Sequence, residues 1–302
     1  MLFRSAILAG LAAAAAAAAE YRSFATPEEA VSALAAAARV RDRAARADLF
    51  GPDAEDLANP DSVQGAYEMG EFVAAFDEAH RLVRESAARA ELEVGADGWP
   101  FPIPLVEAAG QWRFDTAAGR EELLNRRIGR NELAVLRTLR AYVAAQREYA
   151  ARDRDGDGVL EFAQHIVSTP GRTDGLYWPP RLNGELSPIG PAVARAQSVG
   201  YFTDLDDERR EPRPFHGYYF KILDRQGAHA PGGRHGYVIN GNMVAGFGLV
   251  AWPAEHGDSG VMTFIVNQQG RVHEKDLGPD TARKARRITA FDPDPSWRIS
   301  RD

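Results

Sequence analysis

The stretch 120–152 constrains this chain most. Leu124, Ile128, Val135, Leu139, Tyr142 and Val143 fall on one side at steps of three and four, and Arg and Glu crowd the other side. That is the pattern of an amphipathic helix with one face to bury. Gly129, near its middle, is expected to kink or divide it. The following sequence supplies something to bury it against. Tyr218, Phe220 and Ile222 alternate with Tyr219 and Lys221, and two further apolar runs occupy 247–252 and 261–266. Tyr237-Val238-Ile239 meets Met243-Val244-Ala245 across Asn240-Gly241-Asn242, a hairpin signal because Asn and Gly accept positive φ. The expected fold class is therefore α+β, with an N-terminal helical and β-hairpin subdomain, the long helix, and a C-terminal antiparallel sheet.

Ahead of the long helix, Thr26-Pro27-Glu28-Glu29 opens an Ala-rich helix with a capping Thr, Pro in the first turn and two carboxylates at the positive end of the dipole. Val31, Leu34, Ala38 and Val40 form its expected stripe, and Leu49-Phe50-Gly51-Pro52-Asp53 its expected stop. A second helical stretch is read from Phe72, Val73, Phe76, His80, Leu82 and Val83. The period then becomes two at Glu91-Leu92-Glu93-Val94. Phe101, Ile103 and Leu105 share a face of a strand that Pro100, Pro102 and Pro104 confine to an edge or a bulge, and 110–115 returns.

At the start, one Arg, an apolar core and an alanine run from 12 to 19 read as a secretory signal cleaved near Ala19. The expected organisation is a signal peptide at 1–19, an N-terminal α+β subdomain at 20–118 and a helix-plus-sheet domain at 119–302, in a soluble periplasmic or secreted protein with no transmembrane segment in the mature chain. No cysteine occurs, which excludes disulfides, thiolate nucleophiles and Cys-ligated metal. Lys and Arg number 36 against 43 Asp and Glu, for a net charge of -7. That balance argues against nucleic acid and anionic lipid as partners.

Three groups of residues carry candidate chemistry. In Asp153-Arg154-Asp155-Gly156-Asp157-Gly158-Val159-Leu160-Glu161, the carboxylates of Asp153, Asp155, Asp157 and Glu161 and the Val159 carbonyl fit the first positions of a calcium loop; Gln164 stands where a bidentate Glu belongs. The stretch reads either as a weak structural calcium site or as a solvated helix exit. The loop with Arg172, Asp174, Tyr177 and Trp178 joins a cation, a carboxylate and two aromatics. It reads either as a peptide- or glycan-binding surface or as a loop pinned by its own rings. His216, paired with Asp174, is the one candidate for acid or base work. Gly257-Asp258-Ser259-Gly260 is read as a turn, since no base or oxyanion hole accompanies the Ser.

Three resemblances bear on these expectations. The N-terminal order of helices followed by 101–106 and 110–114 resembles a reduced nuclear-transport-factor-like or cystatin-like fold. Residues 131–140 and 144–149, followed by 217–220, 247–253 and 259–264, resemble the helix and strands of type IV pilin-like and pseudopilin-like globular domains, without a prepilin cleavage motif. Over nearly the whole mature chain, Trp99-Pro100-Phe101-Pro102-Ile103-Pro104, Asp174-Gly175-Leu176-Tyr177-Trp178-Pro179, 261–267 and Lys275-Asp276-Leu277-Gly278 resemble an uncharacterised family of exported bacterial proteins, domain of unknown function family 2950. The expected function is an exported, non-catalytic envelope protein that binds an envelope protein or glycan. The alternative is a periplasmic hydrolase or carbohydrate-acting enzyme with a site near Tyr177, Trp178 and His216.

Overall fold

The computed structural model describes residues 21–154, 156–179, 186–190 and 214–301. The expected signal segment lies outside them, as do Asp155 of the acidic stretch and most of the Pro- and Gly-rich region before Pro214. The chain divides into two compact units, one of Met1–Leu57 with Val73–Arg120, the other of Ala58–Phe72 with Glu121–Asp302.

The first unit opens with α1 (Pro27–Val40), where the Thr26 hydroxyl accepts from the Glu29 amide at 3.2 Å and the Glu29 carboxylate reaches back to the Ala25 amide. Val31, Leu34 and Ala38 are buried as expected, but Val40 is 73% exposed. Val40 is the last residue of the helix, because Arg41 turns left-handed at φ 52° and Asp42 caps a new helix, α2 (Arg43–Phe50). The Gly51 stop thus ends the second helix rather than the first. α3 (Ser62–Glu78) crosses the division between the units and gives way to β1 (His80–Ser86). His80, Leu82 and Val83 are therefore strand residues, not helical ones: from His80 to Val83 they pair antiparallel with β2 (Arg89–Val94).

β3 (Trp99–Pro100), β4 (Leu105–Ala108) and β5 (Gln111–Phe114) complete a sheet of order β1-β2-β4-β5, with β3 on β2. The strand expected through Phe101 and Ile103 begins only at Leu105, since the prolines before it have no N–H to give to a ladder. Phe114 lies 5.2 Å from Phe50 and 6.3 Å from Phe101, at the centre of a core with Leu34, Leu49, Leu92 and Leu105.

The second unit is organised by α4 (Thr116–Tyr149), which runs through Gly129 without division. After it come the parallel pair β6 (His165–Val167) and β7 (Gly175–Tyr177), then β8 (Tyr218–Leu223), the pair β9 (Arg225–Gln226) and β10 (His235–Gly236), and the hairpin β11 (Val238–Ile239) and β12 (Asn242–Met243). The hairpin turns on two residues, Asn240 at φ 53° and Gly241 at φ 95°. This is tighter than the three-residue turn read from the sequence, and both φ values are of the sign that two-residue turns demand.

β13 (Gly248–Pro253), β14 (Met262–Asn267), β15 (His273–Asp276), the short α5 (Thr281–Arg286) and β16 (Arg298–Ile299) follow. The antiparallel sheet runs β16-β15-β14-β13-β8. Every residue of β13 is buried, because apolar groups cover both faces. Val135, Leu139, Tyr142 and Val143 of α4 cluster with Leu249, Ala251, Phe264 and Val266, whereas Val250, Trp252 and Ile265 cluster with Ala285 and Phe291. The α+β class holds. Among the described residues no helix is long and apolar enough to cross a membrane.

Candidate functional site

The last turns of α4 are fixed from inside. Gln146 is fully buried, and its amide is used at both ends: Nε2 donates to the Ala163 carbonyl at 2.8 Å and to the Tyr142 hydroxyl at 3.0 Å, and Oε1 accepts from the Ala163 amide at 2.8 Å. The Tyr142 hydroxyl donates onward to the Gly248 carbonyl of β13 at 3.1 Å. Burial pushes that phenol well above its usual range, partly offset by the Gln146 bond. A neutral network of this kind costs little to bury because each polar atom has a partner.

Beyond Tyr149 the acidic stretch folds onto the β11–β12 hairpin. Asp153 accepts from the Gly156 amide at 2.8 Å and the Gly158 amide at 2.9 Å, and Asp157 accepts from the Val159 amide at 2.7 Å and Asn242 Nδ2 at 2.6 Å. Glu161 accepts from the Met243 amide at 3.0 Å, and the Phe162 amide donates to the Met243 carbonyl at 2.8 Å. The stretch thus links α4 to the hairpin by Asx-type turns and backbone pairing. Among the described residues no three His, Asp or Glu side chains gather where they would hold a metal ion.

A cavity of about 480 Å³ opens at this junction. Tyr149 and Arg154 wall one side, Glu161, Phe162, Gln164 and His165 another, the 172–174 segment a third, and Gly241 and Asn242 the last. Arg154 is held in place: its Nε donates to the Tyr149 carbonyl at 3.2 Å, and its guanidinium carbon lies 5.1 Å from the ring centres of both Tyr149 and Trp178. The Tyr149 hydroxyl donates to the Thr173 carbonyl at 2.9 Å, and Asp174 accepts from the Thr169 amide at 2.8 Å. β6 and β7 bring this segment in, and Gly175 permits the approach, since a Cβ there would stand 2.7 Å from the Ser168 nitrogen.

Of the residues singled out in the sequence, Arg172 and Asp174 line this cavity together with Glu161 of the acidic stretch. Tyr177 and Trp178 are buried, 7% and 1% exposed; Trp178 belongs to the main core cluster and offers no stacking surface to solvent. Asp153, Asp157 and Val159 lie on the linking loop, and Asp155 lies outside the described residues.

His216 is half-buried and does not line the cavity. It sits in a tight turn with Gly217, both at positive φ (49° and 72°), closed by mutual backbone hydrogen bonds of Phe215 and Tyr218. Its ring lies tilted against that of Phe215, with centroids 4.3 Å apart. Burial lowers its pKa, opposed by Asp61 and reinforced by Arg137. The Ser259 hydroxyl donates to the Glu255 carbonyl and accepts from the Glu255 amide, so this loop is a closed turn, as its sequence suggested.

The sequence reading passed over Gln146 and His165, and it placed Arg154 and Gln164 in the acidic stretch and Asn242 in the hairpin turn without assigning them to a site. One signal was available: Gln146 falls on the same stripe as Leu139, Tyr142 and Val143, where a polar residue must find a buried partner.

Fold and cavity together define an α+β protein whose long helix carries an antiparallel sheet and ends at a polar, open-sided cavity. Residues 21–299 match the family described as Protein of unknown function (DUF2950), and the chain belongs to that family. No curated protein and no solved structure matches it. The likeness to pilin heads and to cystatin-like folds accordingly rests on the sequence alone.

Proposed function

We propose that this is an exported, non-catalytic binding or scaffold protein of the bacterial envelope, periplasmic or secreted, that holds an envelope protein or glycan in the cavity at the end of α4. The observation that carries this reading is the cavity itself, about 480 Å³ and walled by Arg172, Thr173, Gln164, His165 and Asn242. Its volume falls in the range of about 300–1,000 Å³ usual for ligand sites, and its polar walls suit reversible recognition. The basic apolar leader of residues 1–19 supports export. Asp174 lines the cavity and His216 does not, which favours binding over the hydrolase alternative.

The test is retention of envelope components by immobilised protein, set beside an Arg172→Glu variant with the same melting temperature. Retention lost in the variant is expected. A protein that retains nothing and turns over an envelope substrate overturns the reading. The proposal extends to a weak structural calcium ion in the 153–161 loop, supported by the spacing of Asp153, Asp155, Asp157, Val159 and Glu161. A melting temperature that rises with millimolar calcium, and no longer does so in an Asp153→Ala, Asp157→Ala variant, is its expected signature; no rise in the unaltered protein overturns it.

A further inference from the structure

Resting on the cavity as a binding site, we propose that its ligand is a saccharide bearing a hexuronic acid, held through its carboxylate by Arg172. Among the described residues the Arg172 guanidinium and the His165 imidazole, both lining the cavity, have no hydrogen-bond or ion-pair partner. An uncommitted guanidinium presents a planar fork of donors that matches a carboxylate. Arg154 adds a second positive charge, already oriented by the Tyr149 carbonyl and two rings.

The remaining walls select the rest of the ligand. Asp174 and Glu161 line the same cavity as the two guanidiniums, so a dianion such as a phosphate ester meets repulsion that a monoanion largely escapes. Gln164 spends its Nε2 on the Gly241 carbonyl and Asn242 its Nδ2 on Asp157, which leaves each amide oxygen as an acceptor. One oxygen of Asp174 is likewise left by its bond to Thr169. Acceptors of this kind call for a ligand rich in hydroxyl donors. A carboxylate next to several hydroxyls on a compact ring is the chemistry of a sugar acid, and the partly exposed Phe162 side chain lining the cavity offers apolar surface to its C–H faces.

The test is titration calorimetry of the purified chain with four probes: a trigalacturonate, its neutral methyl ester, a Glu-Glu dipeptide and inorganic phosphate. The trigalacturonate is expected to bind, and the methyl ester about tenfold more weakly. Arg172→Gln should lose about tenfold for the acid and little for the ester, consistent with loss of one bidentate charge-assisted contact, at an unchanged melting temperature. Arg172→Lys should fall between.

Equal binding of acid and ester, abolished when Asn242→Trp fills the cavity, overturns the carboxylate while leaving the cavity as a binding site. Stronger binding of the dipeptide or of phosphate overturns the saccharide. No binding by any probe overturns the inference, and only the additional failure to retain envelope components overturns the functional reading beneath it.

Discussion

On its N-terminal side within the second unit, α4 meets the 255–262 loop through charged groups; near its C-terminal end it meets the 163 segment and β13 through a neutral amide and a phenol. At the first contact Glu132 accepts from the successive amides of Val261 and Met262, both at 2.9 Å, Asn131 donates to the Ser259 carbonyl at 2.8 Å, and Arg127 pairs with Asp258 at 3.0 Å. At the second, Gln146 and Tyr142 close a network with every polar atom inside the core. The ionic contact is partly wet, with the Asp258 side chain 35% exposed. The difference teaches where stability is concentrated and where it can be tuned. A buried neutral network responds to substitution but hardly to salt or pH, whereas half-solvated charges respond to all three.

The sharpest way to break this comparison is Gln146→Leu. The change keeps the volume but strands the amide and carbonyl of Ala163, and at about 1–3 kcal/mol per unsatisfied group the expected loss is about 3–5 kcal/mol by urea unfolding. A loss below about 1 kcal/mol would show that water replaces the amide and that the network is not closed. Glu132→Ala should cost about 2–3 kcal/mol, since two backbone N–H groups lose their acceptor, and Glu132→Gln should recover roughly half of that by restoring an oxygen. Asp258→Asn leaves Arg127, only 7% exposed, without its counter-charge. Because Asp258 is itself half-solvated, the expected cost is about 1–2 kcal/mol, below the 3–5 typical of a fully buried pair. That cost should shrink in 1 M salt while the Gln146→Leu cost does not, a contrast that urea unfolding at two ionic strengths reads directly.

The same contrast governs what could be read from the sequence. Features set by local chemistry were legible: the Thr26 cap, the α4 stripe, the Asn240-Gly241 turn, the alternating strand around Leu92 and the apolar run around Val250 each follow from a few neighbouring residues. The change from α3 to β1 was not. Phe76, His80 and Val83 keep a helical step, and only pairing with β2, several residues further on, makes His80 and Val83 strand residues. The cavity was legible in part. Arg172 and Asp174 stood out in their own loop, but Asn242 reaches Asp157 only because the Phe162 and Met243 backbones pair, and no spacing in the sequence encodes that contact. Arg127 and Asn131 were hidden for a related reason, since their partners lie more than a hundred residues away.

The smallest expected effect is a pH dependence that arises between the two contacts, where His216 feels Asp61 and, from α4, Arg137. Burial is the largest influence on His216 and lowers its pKa from 6.5; Arg137 acts in the same direction and Asp61 against it. His273 is lowered in the same way by burial and Arg271. A histidine depressed on folding favours the neutral form in the native state. Its stability is therefore fully present above pH 6.5 and is lost as pH falls below that value through the folded pKa. Asp224, Asp276 and Asp294 are also depressed, from 3.8, so their stabilisation is lost only in stronger acid. The interval between these ranges isolates the histidines. His216→Asn keeps a residue that tolerates the observed φ of 49°, and it should reduce the slope of unfolding free energy against pH in that interval, with His273→Asn removing most of the remainder. An unchanged slope in the double variant would place the acid sensitivity on groups other than these two histidines.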